Sequence, residues 1–458
     1  MEAVLERLSL KRALFLAATL IVPVLLLAAQ PLDMSLQQSA VLAALVLTIT
    51  WWVTGAVDRT CASLFLLTVF LLVSGAPAKT VFSFPLSENF LMIVFSFLFS
   101  QGVSNSGLAG RLLQPLLRRY AGTPGRLIAA MVLSAAAMVF VIPQPFSRII
   151  LLSLIFRDYF DTLELKGSVR SALMLGLYFF SILINMAMFR GDIILNGALV
   201  SMSGLSLDEG QWVRYMALPT LGYLLLAIVL YRLLFGGALK AFPSAVRRRE
   251  EATAPLSGQE KRNLAFILIT VVIWATEDFH GLSGTVVVIA ATVLMVPMGL
   301  LRLPDLSSVN VKLLVFLTAA FAIGGTLKAC GVADKIFALF VPIFPASFSL
   351  PYVLAVLVVS VLLHTLLGSN ITTMSVVVPG LMSIGAGIAP AQGLLFLIYI
   401  AVCSQFLLPF HHVILLLGEG KGYYSIKEML RLGIAHTALM VGAALLLYLP
   451  WWRAAGLL

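Results

Sequence analysis

Charged side chains interrupt long apolar stretches of this sequence at Arg148, at Arg190 with Asp192, and at the pair His411 and His412. A charge at the centre of a bilayer costs about 2.5–3.5 kcal/mol even on the lenient insertion scale, so such groups line a wet cavity or pair with one another. Arginine offers a fork of donors that suits a carboxylate, a sulfate or a phosphate, and histidine titrates near neutral pH. The pattern predicts an anion site at the arginines, with the aspartate and a histidine as proton carriers.

A neutral polar segment, Gly368–Thr373, interrupts another apolar stretch. Carbonyl and amide oxygens suit a dehydrated sodium ion, whereas hydroxyls and helix N-termini suit the oxygens of an anion. We predict that Ser369, Asn370, Thr372 and Thr373 bind substrate, and a sodium ion at the first two is an open alternative. An ordinary capped loop would also have this composition.

Two apolar stretches, 127–156 and 350–383, are too long for one span and are broken midway by polar or helix-breaking residues. This is typical of a helical hairpin that enters the membrane and returns to the same side. We expect Gln144 and Ser147 to lie with Arg148 at the tip of the first hairpin, as further substrate ligands.

Two other long helices, 169–204 and 391–419, are each broken inside, the first next to Asp192 and the second at Pro409. Non-helical backbone at membrane depth is tolerated only against protein or a water-filled cavity. We therefore predict that the four breaks face one another, and that Pro409 and the two histidines after it also contact substrate.

Composition sets the class of fold that positions these residues. The chain has 458 residues, of which 61% are hydrophobic and 11% charged, whereas soluble domains carry roughly a quarter charged residues. Backbone groups in lipid must be satisfied within their own segment, so spans without strand-like alternation are helices. We predict an all-α polytopic membrane protein with about 11 transmembrane helices and two re-entrant hairpins.

The breaks recur along the chain as a repeat. Gly107–Leu112 resembles Gly331–Ile336 about 224 residues later, and positions from Phe189 to Gly197 match Phe410 to Gly418 about 221 residues later. Paired interrupted segments in two halves are typical of the binding site of a secondary transporter.

The basic residues predict the topology. With the N-terminus inside, every Lys and Arg cluster lies in the cytoplasm, which makes the two halves inverted and assigns the +10 charge to cytoplasmic loops and not to nucleic-acid binding. The expected location is the inner membrane. The predicted domains are an N-terminal transmembrane helix (1–30), a first inverted repeat (31–236), a cytoplasmic linker (237–262) and a second inverted repeat (263–458).

The second half resembles the divalent anion/sodium symporter family, and the first half fits it more loosely. The matching segments are Gly324–Lys328, Gly331–Ala333, Ser369–Thr373 before Pro379, Leu408–Pro409 and Tyr424–Leu430 in the second half, and Gly107–Arg111 and Ile142–Pro143 before Arg148 in the first. The resemblance implies homodimeric elevator carriers that bind sodium and a di- or tricarboxylate at both hairpin tips.

The sequence departs from the family where its motifs are most specific. The first tip reads Gln144 to Ser147 where the family has Ser-Asn-Thr, and the broken helices carry Arg190 and His411 near their turns. We hypothesise that Arg148 and Arg190 supply the positive field that sodium supplies in the family. A structural pairing of these arginines with Asp192 or with a helix C-terminus is the alternative.

The favoured function is secondary transport of small di- or oligo-anions by alternating access, with no cofactor and with Na⁺ or H⁺ as the coupling ion, or with anion exchange. The expected partners are the anion, the lipid bilayer and a second copy of the chain. The alternatives are a cation/proton antiporter of the same superfamily, which would depend on Asp192, and a membrane-embedded transferase. The chain contains no extended loop domain for transferase chemistry, so we predict that it is not an enzyme.

Overall fold

The structure, a computed structural model, describes residues 16–142, 144–242, 255–276, 280–407 and 411–458. Within these ranges the secondary structure is helical and contains no strand. Of the predicted site residues, Pro409 lies outside the described residues, as does the middle of the predicted linker.

The helices follow the predicted segments. They are α1 (Ile21–Ala29), α2 (Leu36–Thr54), α3 (Arg59–Val73), α4 (Glu88–Asn105), α5 (Leu108–Tyr120), α6 (Pro124–Val141), α7 (Pro145–Thr162), α8 (Gly167–Asn185), α9 (Ile193–Ser203), α10 (Leu218–Leu239), α11 (Gly258–Ala275), α12 (Gly284–Met295), α13 (Val311–Ala329), α14 (Val332–Ala338), α15 (Leu350–Leu367), α16 (Asn370–Ile384), α17 (Ala391–Cys403), α18 (Val413–Gly420) and α19 (Ile426–Ala443). A helical turn, Glu209–Trp212, leads into α10 through a π-helical segment, and α19 continues through another to Ala454.

Six helical segments in the described part of the chain are long and apolar enough to cross a membrane. They are Pro124–Val141, Gly167–Asn185, Glu209–Leu239, Leu303–Ala329, Leu350–Leu367 and Ile426–Ala454. The chain is therefore an all-helical, multi-pass membrane protein, as predicted. The first arm of each hairpin is itself long enough to span, so the predicted total of about 11 spans and the re-entry of the hairpins stay predictions.

Two compact units divide the chain, and each takes helices from both predicted repeats. Unit 1 comprises residues 1–90, 201–205 and 310–402, and unit 2 comprises residues 91–200, 206–309 and 403–458. In unit 1, α13 packs on α3 and α16, and the rings of Phe84 and Phe321 stack with centroids 4.3 Å apart. In unit 2, α8 is buried on every side between α6, α7, α10 and α18, which explains why its sequence is apolar all round.

Local sequence signals end the hairpin arms where the chain must turn. Pro145 occupies the first turn of α7, where its missing N–H costs nothing, and the side chain of Gln144 caps that helix. In the second hairpin, Gly368 ends α15 with a φ of 67°, a left-handed conformation that glycine adopts without strain. Each tip is therefore only two or three residues long.

Helix α19 touches the backbone just after α17 through a glycine. A Cβ atom at Gly433 would overlap the carbonyl group of Phe406 and the Cα atom of Leu407, whereas a Cβ atom at Gly442, on the same helix, would meet nothing within 4 Å. Only a residue without a side chain allows this approach.

We expect Gly433→Ala to destabilise the protein by about 1–3 kcal/mol, because the added methyl group forces α19 away from rigid backbone. The matched control, Gly442→Ala, should be neutral or stabilising by about 0.5–1 kcal/mol, since alanine is the better helix former. Thermal unfolding of the detergent-purified variants measures both effects. Equal melting temperatures for the two variants would contradict the close approach.

Candidate functional site

Arg148 joins the first hairpin tip to the first broken helix inside unit 2. Its side chain is 2% exposed. Nη1 donates to the carbonyl of Ile142 at 2.7 Å, and Nη2 donates to Oδ1 of Asn185 at 2.6 Å and to the carbonyl of Gly191. No carboxylate within the described residues forms a salt bridge with it. Three oxygen atoms therefore surround one buried cation.

The break between α8 and α9 exposes further backbone carbonyls, and buried side chains satisfy them. Nδ2 of Asn196 donates to the carbonyls of Met188 and Phe189 at 3.1 and 2.9 Å. Oδ1 of Asp192 accepts the backbone N–H of Leu195 at 3.0 Å, so the predicted proton carrier caps the start of α9. Both Asp192 and Asn196 are almost completely buried. The break is thus a fixed element of the fold and not a frayed helix end.

Arg190 lies at the same break but makes weaker contacts. Its side chain is 4% exposed. Nε lies 3.2 Å from Oε2 of Glu209, Nη2 donates to the carbonyl of Trp274 at a long 3.4 Å, and the guanidinium carbon lies 5.1 Å from the centroid of the Trp274 ring. Within the described residues, neither Nε nor Nη1 makes a hydrogen bond. A buried donor without a partner costs about 1–3 kcal/mol or more, so the described residues leave two donors of this cation available.

The other predicted ligands of the first tip are Gln144 and Ser147. Oε1 of Gln144 accepts a hydrogen bond from the backbone N–H of Ser147 at 2.5 Å. The amide nitrogen of the same side chain, Nε2, is buried and has no partner among the described residues. Ser147 itself is half-buried. The amide of Gln144 is therefore a second donor available near the first tip.

The predicted ligands of the second tip lie together in unit 1. Nδ2 of Asn370 donates to the carbonyl of Val402 at 3.0 Å, near the end of α17. The hydroxyl of Thr373 bonds Nδ1 of His364 at 2.8 Å and ties the two hairpin arms together. The hydroxyl of Thr372 is fully buried and has no partner among the described residues, and Ser369 is half-buried and does not cap α16. Thr372 and Ser369 thus have oxygens available for a ligand.

The two predicted histidines start α18 in unit 2. Nδ1 of His412 accepts the backbone N–H of Ile414 at 3.3 Å, which caps the helix. The His412 ring meets Phe406 edge-on at 5.9 Å. His411 is fully buried. The capping role of His412 requires an unprotonated Nδ1, because a protonated ring nitrogen cannot accept.

A cavity of about 900 Å³ in unit 1 carries two lysines, Lys79 and Lys328. The C-terminal ends of α9, α13 and α16 border it, and each helix end carries roughly half a negative charge. Asp334 also lines the cavity. The lysines therefore offset the negative charge of the helix ends and of Asp334.

Several residues of the site were not predicted. The two arginines contact Asn185, Glu209 and Trp274. In the sequence these three are only polar or aromatic residues beside an apolar stretch, which is a weak indication of a site. Their partners come from other helices, so spacing along the chain does not reveal them.

The sequence matches the family described as the sodium:sulfate symporter transmembrane region over residues 9–458. A search of curated proteins finds no match. The match covers nearly the whole chain, so it includes both hairpins and both broken helices described above. The predicted resemblance is confirmed: the chain belongs to the sodium:sulfate symporter family, a family of membrane transporters.

Proposed function

We propose that this protein is a secondary transporter of small di- or oligo-anions that works by alternating access, as a homodimer in the inner membrane with its N-terminus in the cytoplasm. The observation that carries the proposal is a buried arginine at a helix break, Arg190, two of whose donors make no hydrogen bond within the part of the chain that the structure describes. The chain also belongs to a sodium:sulfate symporter family. The proposed substrate and coupling ion depend on which groups at the breaks are hydrogen-bonded within the protein and which could bind a ligand.

Arg190 is the proposed contact for the anion. Its ion pair with Glu209 has no hydrogen-bonding geometry at Nε, and its Nη1 atom has no partner within the described residues. A guanidinium binds a carboxylate or sulfate through two parallel hydrogen bonds. The N-terminus of α9 adds little positive charge for an anion, because the Asp192 carboxylate already caps that helix. Specificity for an anion with two charges would then need a further donor, and Nε2 of Gln144 has no partner among the described residues.

Arg148 is proposed to act as a tethered cation in place of a sodium ion. Two backbone carbonyls and one amide oxygen surround its guanidinium, and carbonyl oxygens freed by broken helices are typical ligands of coupling ions in transporters. The cation therefore holds the tip against the break without an ion from solution. At the second tip, Ser369, Asn370 and Thr372 keep the oxygens that a sodium ion would use, and proton coupling through His411 or Asp192 is the alternative.

The anion contact is tested by thermal stabilisation of the purified protein with sulfate, phosphate and a dicarboxylate. A ligand at 100 times its dissociation constant should stabilise by about 2.7 kcal/mol. We expect Arg190→Gln to reduce affinity at least tenfold, because it removes the available cation, and Glu209→Gln to increase affinity, because it removes the competing carboxylate. Lys312→Gln, which removes an exposed cation from the first turn of α13, is the control.

The double variant Arg190→Gln with Glu209→Gln removes the charge that the single variant leaves unpaired, and it should fold normally yet bind weakly. Normal folding with unchanged affinity in this variant would refute the role of Arg190. No stabilisation of the parent protein by any anion would refute the proposed substrate class.

The tethered cation predicts that sodium can substitute for Arg148. We expect Arg148→Ala to melt at a lower temperature, because three oxygens lose their donor at about 1–3 kcal/mol each. Replacing KCl by NaCl at constant ionic strength should restore part of that loss in the variant and should have a smaller effect on the parent protein.

Arg148→Ala combined with Asn185→Leu removes one of the three oxygens and should abolish the sodium effect. An equal response of the parent, the single variant and the double variant to sodium would contradict a cation site at this tip. It would leave the anion contact at Arg190 untouched, so the two claims fail separately.

A further inference from the structure

One backbone carbonyl in each broken helix stands where the first helical half ends. Helix α8 ends at Asn185, so Met186 is the first residue of the first break, and α17 ends at Cys403, so Ser404 is the first residue of the second. Met186 precedes Phe189 by three residues, whereas Ser404 precedes Phe410, the counterpart of Phe189 in the predicted repeat, by six. The two residues therefore begin the two breaks without occupying matching positions of the repeat. Each carbonyl points away from the helix that it terminates and needs a donor from elsewhere.

An aromatic ring N–H supplies the donor in both cases. Nε1 of Trp212 donates to the carbonyl of Met186 at 3.0 Å, and Nδ1 of His436 bonds the carbonyl of Ser404 at 3.0 Å. Both side chains are fully buried. A ring N–H group of a different residue type therefore satisfies the first carbonyl of each break.

Both ring nitrogens of His436 have a partner. A carbonyl only accepts, so Nδ1 carries a hydrogen. Nε2 forms a hydrogen bond of 2.7 Å with the hydroxyl of Tyr223. The ring lies between the rings of Phe406 and Tyr223, with centroids 4.9 and 5.3 Å away and planes nearly parallel. Hydrogen bonds at both nitrogens and a ring on each face therefore orient the imidazole.

Trp212 belongs to the helical turn that also contains Glu209. Glu209 accepts the backbone N–H of Arg190 at 3.1 Å in addition to its ion pair with the side chain. Trp212 further meets Phe189 edge-on at 5.6 Å. One turn therefore holds the first break at its beginning and at Arg190.

The two held positions also touch each other. The hydroxyl of Ser404 lies 3.4 Å from the sulfur of Met186. Movement of either carbonyl would therefore disturb the other break as well.

We propose that Trp212 and His436 are equivalent positioning residues, one for each broken helix, whose ring N–H groups fix the backbone at the start of the break. Their effect on transport is indirect: Trp212 holds the segment that carries Arg190, and His436 holds the segment that leads to His411 and His412. Neither ring is a substrate ligand. Packing alone would not require an N–H at both positions.

Amide hydrogen exchange tests this without any substrate. We expect His436→Phe, which keeps an aromatic ring between Phe406 and Tyr223, to accelerate exchange in peptides that contain Ser404 and Phe406. Trp212→Phe should accelerate exchange in peptides that contain Met186 and Arg190. The stronger effect of each variant should fall on its own break.

Rescue separates positioning from packing. His436→Gln offers an amide donor in place of the ring N–H, so exchange near Ser404 should return towards the parent rate although the ring stack is lost. Anion affinity, which rests on the proposed function, should fall about tenfold in Trp212→Phe. Other substitutions that remove the N–H donor at position 212 should lower the affinity as well. Tyr223→Phe keeps the bond from His436 to the Ser404 carbonyl but removes the hydroxyl that contacts Nε2. Its effect should therefore be smaller than that of His436→Phe.

Equal acceleration in His436→Phe and His436→Gln would show that the ring matters for packing alone and would overturn the proposal. So would uniform acceleration over the whole chain in Trp212→Phe. If His436→Phe does not fold, the other two variants test the proposal. Trp212→Phe shows whether loss of an N–H donor accelerates exchange at the first break, and His436→Gln shows whether an amide donor protects the second. Failure of every anion to bind, with the exchange pattern as expected, would overturn the proposed substrate and not the positioning.

Discussion

Carbonyl groups at helix breaks are the constraint on which the rest of this structure depends. A break at membrane depth frees backbone oxygens that lipid cannot satisfy, and each unsatisfied group costs several kcal/mol. In unit 2, Arg148, Asn196 and Trp212 supply donors to the first break and His436 to the second, and in unit 1 Asn370 donates near the end of α17. The breaks persist because side chains from neighbouring helices complete them.

The way in which each donor is used divides the charged residues by role. Arg148 donates hydrogen bonds to oxygens of the protein, whereas Nε and Nη1 of Arg190 make no hydrogen bond within the described residues. A tethered cation differs from a sodium ion in one respect that matters for energetics. It cannot cross the membrane with the substrate, so a carrier that uses Arg148 in place of an ion draws no energy from a sodium gradient at that tip. Any coupling must then come from other groups.

The sequence predicts the helical fold, the broken segments and the family, because hydropathy and interruptions are local properties. It also identifies Arg148, Arg190 and Asp192 as buried charges near the breaks. It does not distinguish a cation that binds oxygens of its own protein from one that is available, since this depends on partners from other helices, such as Asn185 for Arg148. The sequence does not identify His436 as a site residue, because a lone histidine in an apolar helix has no local signature.

Helix ends contribute to the stability of the buried Arg148, which forms no salt bridge within the described residues. The buried carboxylate of Asp192 also attracts it. The Nη1 atom of Arg148 bonds the carbonyl of Ile142, which follows the end of α6, and Nη2 bonds Asn185, the last residue of α8. Each helix C-terminus carries roughly half a negative charge, so two such ends together balance about one cation. The helix ends therefore supply part of the negative charge that Arg148 balances at this tip, and this charge comes from the backbone and not from side chains.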